Sequence, residues 1–207
     1  KLNKLLRAVD YNNDFYFKII SLGFQERELI NLFNFSSNNN ELLNYYRGSS
    51  NKIVSINDFR NIDRKLSLEG DLLVKVDRAS MLSSIECRSP FLNKDILNFT
   101  SQLPDNYLLK GWNKKFLLKE SFKEFFPEKF LDKSKQGFAV PVGDWLKTSF
   151  STELLGYIDK DLLLSQNIFN INYITKLVED HLNSVTDNTY RVWTFYCFQK
   201  WYVNNIL

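Results

Sequence analysis

Apolar residues recur at helical spacing along most of the chain. Phe15, Ile19 and Leu22 form one stripe between Leu2 and Phe35, and Leu29, Leu32 and Phe33 continue it in GFQERELINLF. The polar run NFSSNNNE predicts a loop at 34–41. Ile56, Phe59, Ile62 and Leu66 predict an amphipathic helix that stops near Gly70. Asp71 then reads as the N-cap of a second helix, DLLVKVDRASMLSS, with Leu72, Val76 and Ala79 on one stripe and Lys75, Asp77 and Arg78 as its charges. Beyond a corner at 86–93, Ile96, Phe99 and Leu103 predict a short helix ended by Pro104. Leu118, Phe122 and Phe125 predict another in NKKFLLKESFKEFF, closed by Pro127. GDWLKTSF reads as a helix start capped by Asp144, and NINYITKLVEDHLN and DNTYRVWTFYCFQKWYVNNI as two further helices. The last holds seven aromatics between Tyr190 and Tyr202, which predicts packing on more than one side.

Composition narrows the class. Seven glycines and four prolines in 207 residues are too few for a strand-rich chain of this size, so helices are favoured again. With 44% hydrophobic and 25% charged residues, the chain has the balance of one soluble globular domain. A net charge of +3 without a basic block argues against nucleic acid. No segment approaches the roughly 20 apolar residues of a membrane span. Two distant cysteines, Cys87 and Cys197, and a single histidine, His181, leave no zinc pattern and no histidine-based triad. Reduced thiols and a cytoplasmic location are the expectation.

Candidate chemistry starts at ECRSPFLNKD, residues 86–95. Glu86 and Arg88 stand two apart in a segment that Pro90 biases toward extended backbone, so their side chains point the same way. That spacing suits a surface ion pair or a shared ligand. Lys133 and Lys135 precede Gly137 in a segment, 127–143, that carries two prolines, two glycines and five charges. Such a loop can clamp phosphate, or it can be an ordinary exposed basic loop. Asp77 and Arg78 fit a solvated face or a pair within the core. Cys87 lacks a general base and reads as a small buried residue. His181 follows Ile174 and Val178 on an apolar stripe and reads as a satisfied, partly buried side chain.

The order of these segments carries more than any one of them. DLLVKVDRASMLSSIECRSPFLNKDIL, LPDNYLLKG, NKKFLLKESF and FFPEKFLDKSKQGFAVPVGDWL together resemble the synthetase domain of glutamine-dependent asparagine synthetases. The likeness is close over about 56–150 and looser, but in register, through the C-terminal helix. It implies adenylation of aspartate by ATP, with release of pyrophosphate, and attack on the β-aspartyl-adenylate by ammonia from a separate glutaminase domain. On the same resemblance, Glu86 matches the acid at the adenylate site, and Ser84 and Ile85 match positions lining the nucleotide. Lys135 matches the lysine of the pyrophosphate-side loop, Glu120 falls where related amide-forming synthetases carry a second acid, and Arg88 matches an arginine that orders the corner.

Two departures accompany the resemblance. Asn93 stands in PFLN where the family usually has PFLD, which removes a carboxylate that would help hold Mg²⁺. The family's Ser-Gly-Gly-x-Asp-Ser phosphate loop does not occur in the sequence. The implied fold is therefore mostly α-helical. It is one partial domain over 1–207, the C-terminal helical portion of an adenine-nucleotide α-hydrolase-like (PP-loop ATPase) synthetase domain, with the parallel sheet absent from this chain. ATP and Mg²⁺ are expected to be held mainly by residues outside it, and the isolated chain is expected not to turn over ATP. Expected partners are aspartate or another carboxylate substrate and ammonia from the glutaminase domain, with self-association open. Relatives that close β-lactams, cyclise peptides or amidate sugars keep the acceptor open. Asn93 and the missing phosphate loop also leave room for a non-catalytic interaction module.

Overall fold

The computed structural model describes residues 23–35, 56–127, 129–133 and 140–207. The stripe at Phe15, Ile19 and Leu22 and most of the 34–41 loop lie outside the described residues. The chain divides into two compact units, one made of Lys1–Asn39 with Phe138–Leu207 and a central one of Asn40–Gly137. Both are mostly helical where described.

In the first unit, helix α1 (Glu26–Leu32) opens on a capping box in which Gln25 N–H donates to Glu28 Oε2 at 2.8 Å. The helix stops at Phe33, which turns extended and bridges antiparallel to Phe169. Asn34 N–H donates to Ile168 O at 3.0 Å, Asn170 N–H to Leu32 O at 2.8 Å, and Asn34 Nδ2 to Phe169 O at 2.9 Å. Arg191 adds a two-pronged contact to Glu28 Oε1, at 2.6 Å from Nη2 and 3.1 Å from Nε. The start of the described chain is thus tied to its last helix by a largely buried ion pair.

The central unit begins with α2 (Ile56–Asp63), which continues through a π-helical run, Arg64–Leu73, into α3 (Val74–Met81). The expected stop at Gly70 and cap at Asp71 are absent. A glycine ends a helix by turning left-handed, and Gly70 does not. Leu73 and Val74 stay in the right-handed helical region, so the backbone donors find acceptors inside the helix and need no cap. Farther on come a 3₁₀ turn (Pro90–Leu92), α4 (Lys94–Ser101), α5 (Asp105–Leu108), and a hairpin of β1 (Leu109–Lys110) and β2 (Asn113–Lys114), paired Leu109↔Lys114 and Lys110↔Asn113. Gly111 supplies the positive φ of the hairpin turn, +59°. The helix expected from Asn113 starts three residues later, as α6 (Phe116–Phe122), because the hairpin claims Asn113 and Lys114. Two 3₁₀ turns, Lys123–Phe125 and Phe130–Asp132, follow. Among the described residues of this unit, only Ile62 is fully buried.

The first unit resumes with α7 (Val142–Lys147), α8 (Ser151–Tyr157), α9 (Lys160–Gln166), α10 (Ile171–Leu182) and α11 (Thr189–Asn205). Asp144 does not cap α7. Pro141 holds the N-cap position, and Asp144 sits in the first turn, where a carboxylate complements the helix dipole. Asp159 Oδ1 accepts from Asp161 N–H and Leu162 N–H at 3.0 and 3.1 Å, and Asn170 Oδ1 from Tyr173 N–H at 3.2 Å, so α9 and α10 begin on side-chain caps. Leu146, Leu154, Leu163, Ile174, Val178 and Phe195 fill the core. As the aromatic spacing predicts, α11 packs on more than one side: Val192, Phe195 and Tyr196 are buried, and Trp193 and Phe198 lie partly buried against the same core. Inside it, Gln166 Nε2 donates to Gln199 Oε1 at 2.7 Å, and Gln199 Nε2 returns a bond to Gln166 Oε1 at 3.0 Å and reaches Tyr157 O at 3.1 Å. Among the described residues, no helix is long and apolar enough to cross a membrane.

Candidate active site

The corner that carries Glu86 is made by the way α3 ends. Ser84 N–H donates to Met81 O at 3.0 Å and Ile85 N–H to Ser80 O at 3.1 Å, with Ser84 left-handed at φ +55°. This pair of bonds is a Schellman motif, and its left-handed position usually holds glycine. A serine there costs the turn about 1 kcal/mol of local strain. The turn closes the helix and sends Ile85, Glu86, Cys87 and Arg88 out as extended chain toward Pro90.

The sequence spacing left Glu86 and Arg88 as an ion pair or as two groups facing a ligand. The structure pairs them, Arg88 Nε to Glu86 Oε1 at 2.7 Å, with both side chains mostly in solvent, 84% and 67% exposed for Arg88 and Glu86. An exposed pair of this kind adds at most about 1 kcal/mol to stability, so its geometry orients the carboxylate more than it holds the fold. Ile85 is exposed beside it. Cys87 is exposed too, which corrects the expectation of a small buried residue. It lies in the irregular segment between α3 and the 3₁₀ turn at Pro90, open to solvent. Asp77 and Arg78 are likewise on the solvated face of α3.

Glu120 projects from α6 and pairs with Lys123 at 3.1 Å. Glu86 and Glu120 thus each keep their own basic neighbour. Lys119, one residue before Glu120, pairs with Asp132 at 2.9 Å, and Lys133 Nζ lies 4.6 Å from the centre of the Phe130 ring. Lys135 and Gly137 fall outside the described residues. Asn93 caps α4, its Oδ1 accepting from Asp95 N–H at 2.8 Å. Asparagine and aspartate cap equally well, so the change from PFLD keeps the helix start while removing the charge. No cluster of three His, Cys, Asp or Glu able to hold a metal occurs among the described residues.

The strongest electrostatic perturbations lie in the other unit, at residues the sequence did not single out. Glu153 on α8 accepts from Tyr157 Oη at 2.6 Å, from Tyr196 Oη, and from Lys200 Nζ at 3.1 Å. Those bonds, from Tyr157 first, then Tyr196 and Lys200, hold its carboxyl below the usual range. The cluster ties α8 to α11. The i, i+4 spacing of Glu153 with Tyr157, and of Tyr196 with Lys200, was its visible signal. His181 departs from expectation in depth: it is fully buried, and its ring nitrogens are unsatisfied apart from a contact with the Gly143 backbone.

Sequence comparison defines the class. A profile of the asparagine synthase family matches residues 20–203, and the chain belongs to that family. Among its relatives, asparagine synthetase (glutamine-hydrolyzing) 1 of Bacillus subtilis (strain 168) is 32% identical over 145 residues, 70% of this chain and 23% of the relative. A putative asparagine synthetase (glutamine-hydrolyzing) of Mycobacterium bovis is 30% identical over 144 residues, 69% of this chain and 22% of the relative. One of Mycobacterium tuberculosis (strain ATCC 25618 / H37Rv) matches to the same extent. The matched part spans less than a quarter of the length of these curated relatives. No solved structure matches the chain.

Proposed function

We propose that this chain is one part of an asparagine-forming, ATP-dependent ligase and supplies a wall of the site where the β-carboxyl of aspartate is activated. The carrying observation is the family match together with the Schellman turn that presents Glu86 into solvent, oriented by Arg88. In the proposed reaction a β-carboxylate oxygen of aspartate attacks the α-phosphorus of ATP, and pyrophosphate leaves. Ammonia from a glutaminase domain then attacks the acyl carbon and expels AMP. Glu86 is oriented to handle the protons that ammonia sheds, since an exposed carboxylate in hydrogen-bond reach of a nucleophile can act as a general base. Ser84 and Ile85 line the nucleotide. Lys135 offsets charge on the departing pyrophosphate, and Glu120 is the second acid. On this reading the PP-loop sheet, with its phosphate loop and any Mg²⁺ ligands, belongs to residues outside this chain.

The test is aspartate-dependent pyrophosphate release and asparagine yield in the complete enzyme. Glu86→Gln should lower amide formation by about 10²-fold or more, the usual scale for losing a positioned acid or base. Lys135→Ala should slow pyrophosphate release while helicity is retained. Unchanged adenylation and amide yield in Glu86→Gln would remove Glu86 from the site. Normal pyrophosphate release without asparagine formation would instead point to another acceptor.

A further inference from the structure

His181, the single histidine of the sequence, sits in the C-terminal turn of α10 at 1% exposure. Its ring nitrogens are unsatisfied apart from a contact with the Gly143 backbone. That is unusual, because buried polar groups are nearly always bonded. Its surroundings come from three elements. From α7, the Gly143 backbone favours the charged ring slightly, and the Lys147 ammonium opposes it. From the loop ahead of α11, the Asp187 carboxylate favours it, but that carboxylate is already engaged by Thr189 N–H at 3.0 Å and Thr189 Oγ1 at 2.7 Å. On its own helix, Asp180 is turned to Lys176 at 3.3 Å.

The same place fixes α7. A Cβ on Gly143 would fall 2.6 Å from Thr189 Oγ1, so α7 and α11 approach as closely as glycine allows. Lys147 Nζ donates to Ser184 Oγ at 2.9 Å, joining α7 to the loop that follows His181. Helix α7 is also the element directly after the segment that carries Lys135 and Gly137.

We propose that His181 is an acid-sensitive anchor: neutral, it packs under α7, and once protonated it loosens α7 from α10 and α11. An imidazolium here has two N–H groups to satisfy, with the Gly143 backbone as an acceptor for one and the Lys147 charge beside it, so the second proton is accommodated by opening the packing. Burial first, and Lys147 second, hold the ring below its usual pKa of 6.5. The unfolded chain takes up the proton more readily, so the stability associated with neutral His181 is complete above pH 6.5 and is lost as pH falls toward the folded-state value.

The experiment uses the 207-residue chain, whose one histidine gives an unambiguous imidazole C2–H resonance in NMR. Its midpoint should lie below 6.5, and the urea midpoint of the α7–α11 unit should fall between pH 7 and pH 5. In His181→Gln that fall should vanish. Lys147→Met, which keeps the ring, should move the resonance midpoint upward, and Asp187→Asn should move it downward. A midpoint at or above 6.5, equal acid sensitivity in His181→Gln, or no movement in Lys147→Met would each overturn the proposal.

Discussion

Phe195 and Phe125 are the same side chain in two circumstances, 1% exposed in α11 and 77% exposed at the end of the central unit. Phe195 meets Phe169 edge to face at 5.3 Å, inside a core that α7–α11 and α1 close among themselves. Phe125 touches Phe122 at 5.9 Å, and both remain open to solvent. The contrast extends across each unit. The unit of α7–α11 has side-chain caps, a reciprocal glutamine pair and ion pairs between helices. The central unit has helices, turns and local ion pairs, but Ile62 alone is fully buried among its described residues. It is also the unit that holds the Glu86 corner and Glu120. Among the described residues, one region is built round a buried core, and the other presents its candidate chemistry and many apolar side chains together on open surface. Local geometry at a site can thus be specified by helix endings and short-range pairs without a buried core beneath it.

Matched substitutions would break or sharpen the contrast. Phe195→Ala should destabilise the chain by about 3–5 kcal/mol in urea unfolding, from lost burial plus a cavity. Phe125→Ala should stay within about 0.5 kcal/mol, as exposed positions do. Arg191→Met should cost about 1–3 kcal/mol, because the largely buried Glu28 carboxylate loses the two-pronged guanidinium contact. Gln199→Leu should cost about 1–3 kcal/mol, since Gln166 loses both its donor and its acceptor in the core. In the central unit the signs can reverse. Ser84→Gly should stabilise the end of α3 by about 1 kcal/mol by relieving the left-handed serine, read as local helix protection. Asn93→Asp should change stability by only a few tenths of a kcal/mol, because either residue caps α4. The smallest effect concerns acid. The Glu153 carboxyl is held low by Tyr157, Tyr196 and Lys200, so its contribution is present above its usual value of 4.5 and is lost as pH falls through the depressed folded-state value. Glu153→Gln should flatten that acid limb of the unfolding curve.

Much of the helical framework was legible from spacing. Ile96 and Phe99 marked α4, Ile174 and Val178 marked α10, and the aromatic run marked α11, because a helix that buries one face must repeat apolar residues every three or four positions. Punctuation was less legible. Gly70 and Asp71 carry the chemistry of a stop and a start, yet the backbone runs through them as π-helix, and local residue type does not encode that choice. Asp144 looks like a cap but falls inside the first turn, since Pro141 already pre-sets the entry to α7. At the candidate site, the Glu86–Arg88 pair was one of two arrangements the i, i+2 spacing allowed. The exposure of Cys87 depends on what packs over residue 87, which spacing along one strand of chain does not report. His181 was placed on the correct stripe, but the depth of its burial depends on Gly143 and Lys147, far away in sequence.

The difference between the units is the central claim, and native-state hydrogen exchange on the 207-residue chain tests it most directly. Amides in α8, α10 and α11 should exchange only at rates approaching global unfolding, while those of α2–α6 should exchange through local opening at much lower free energy. Equal protection across both units would contradict that claim.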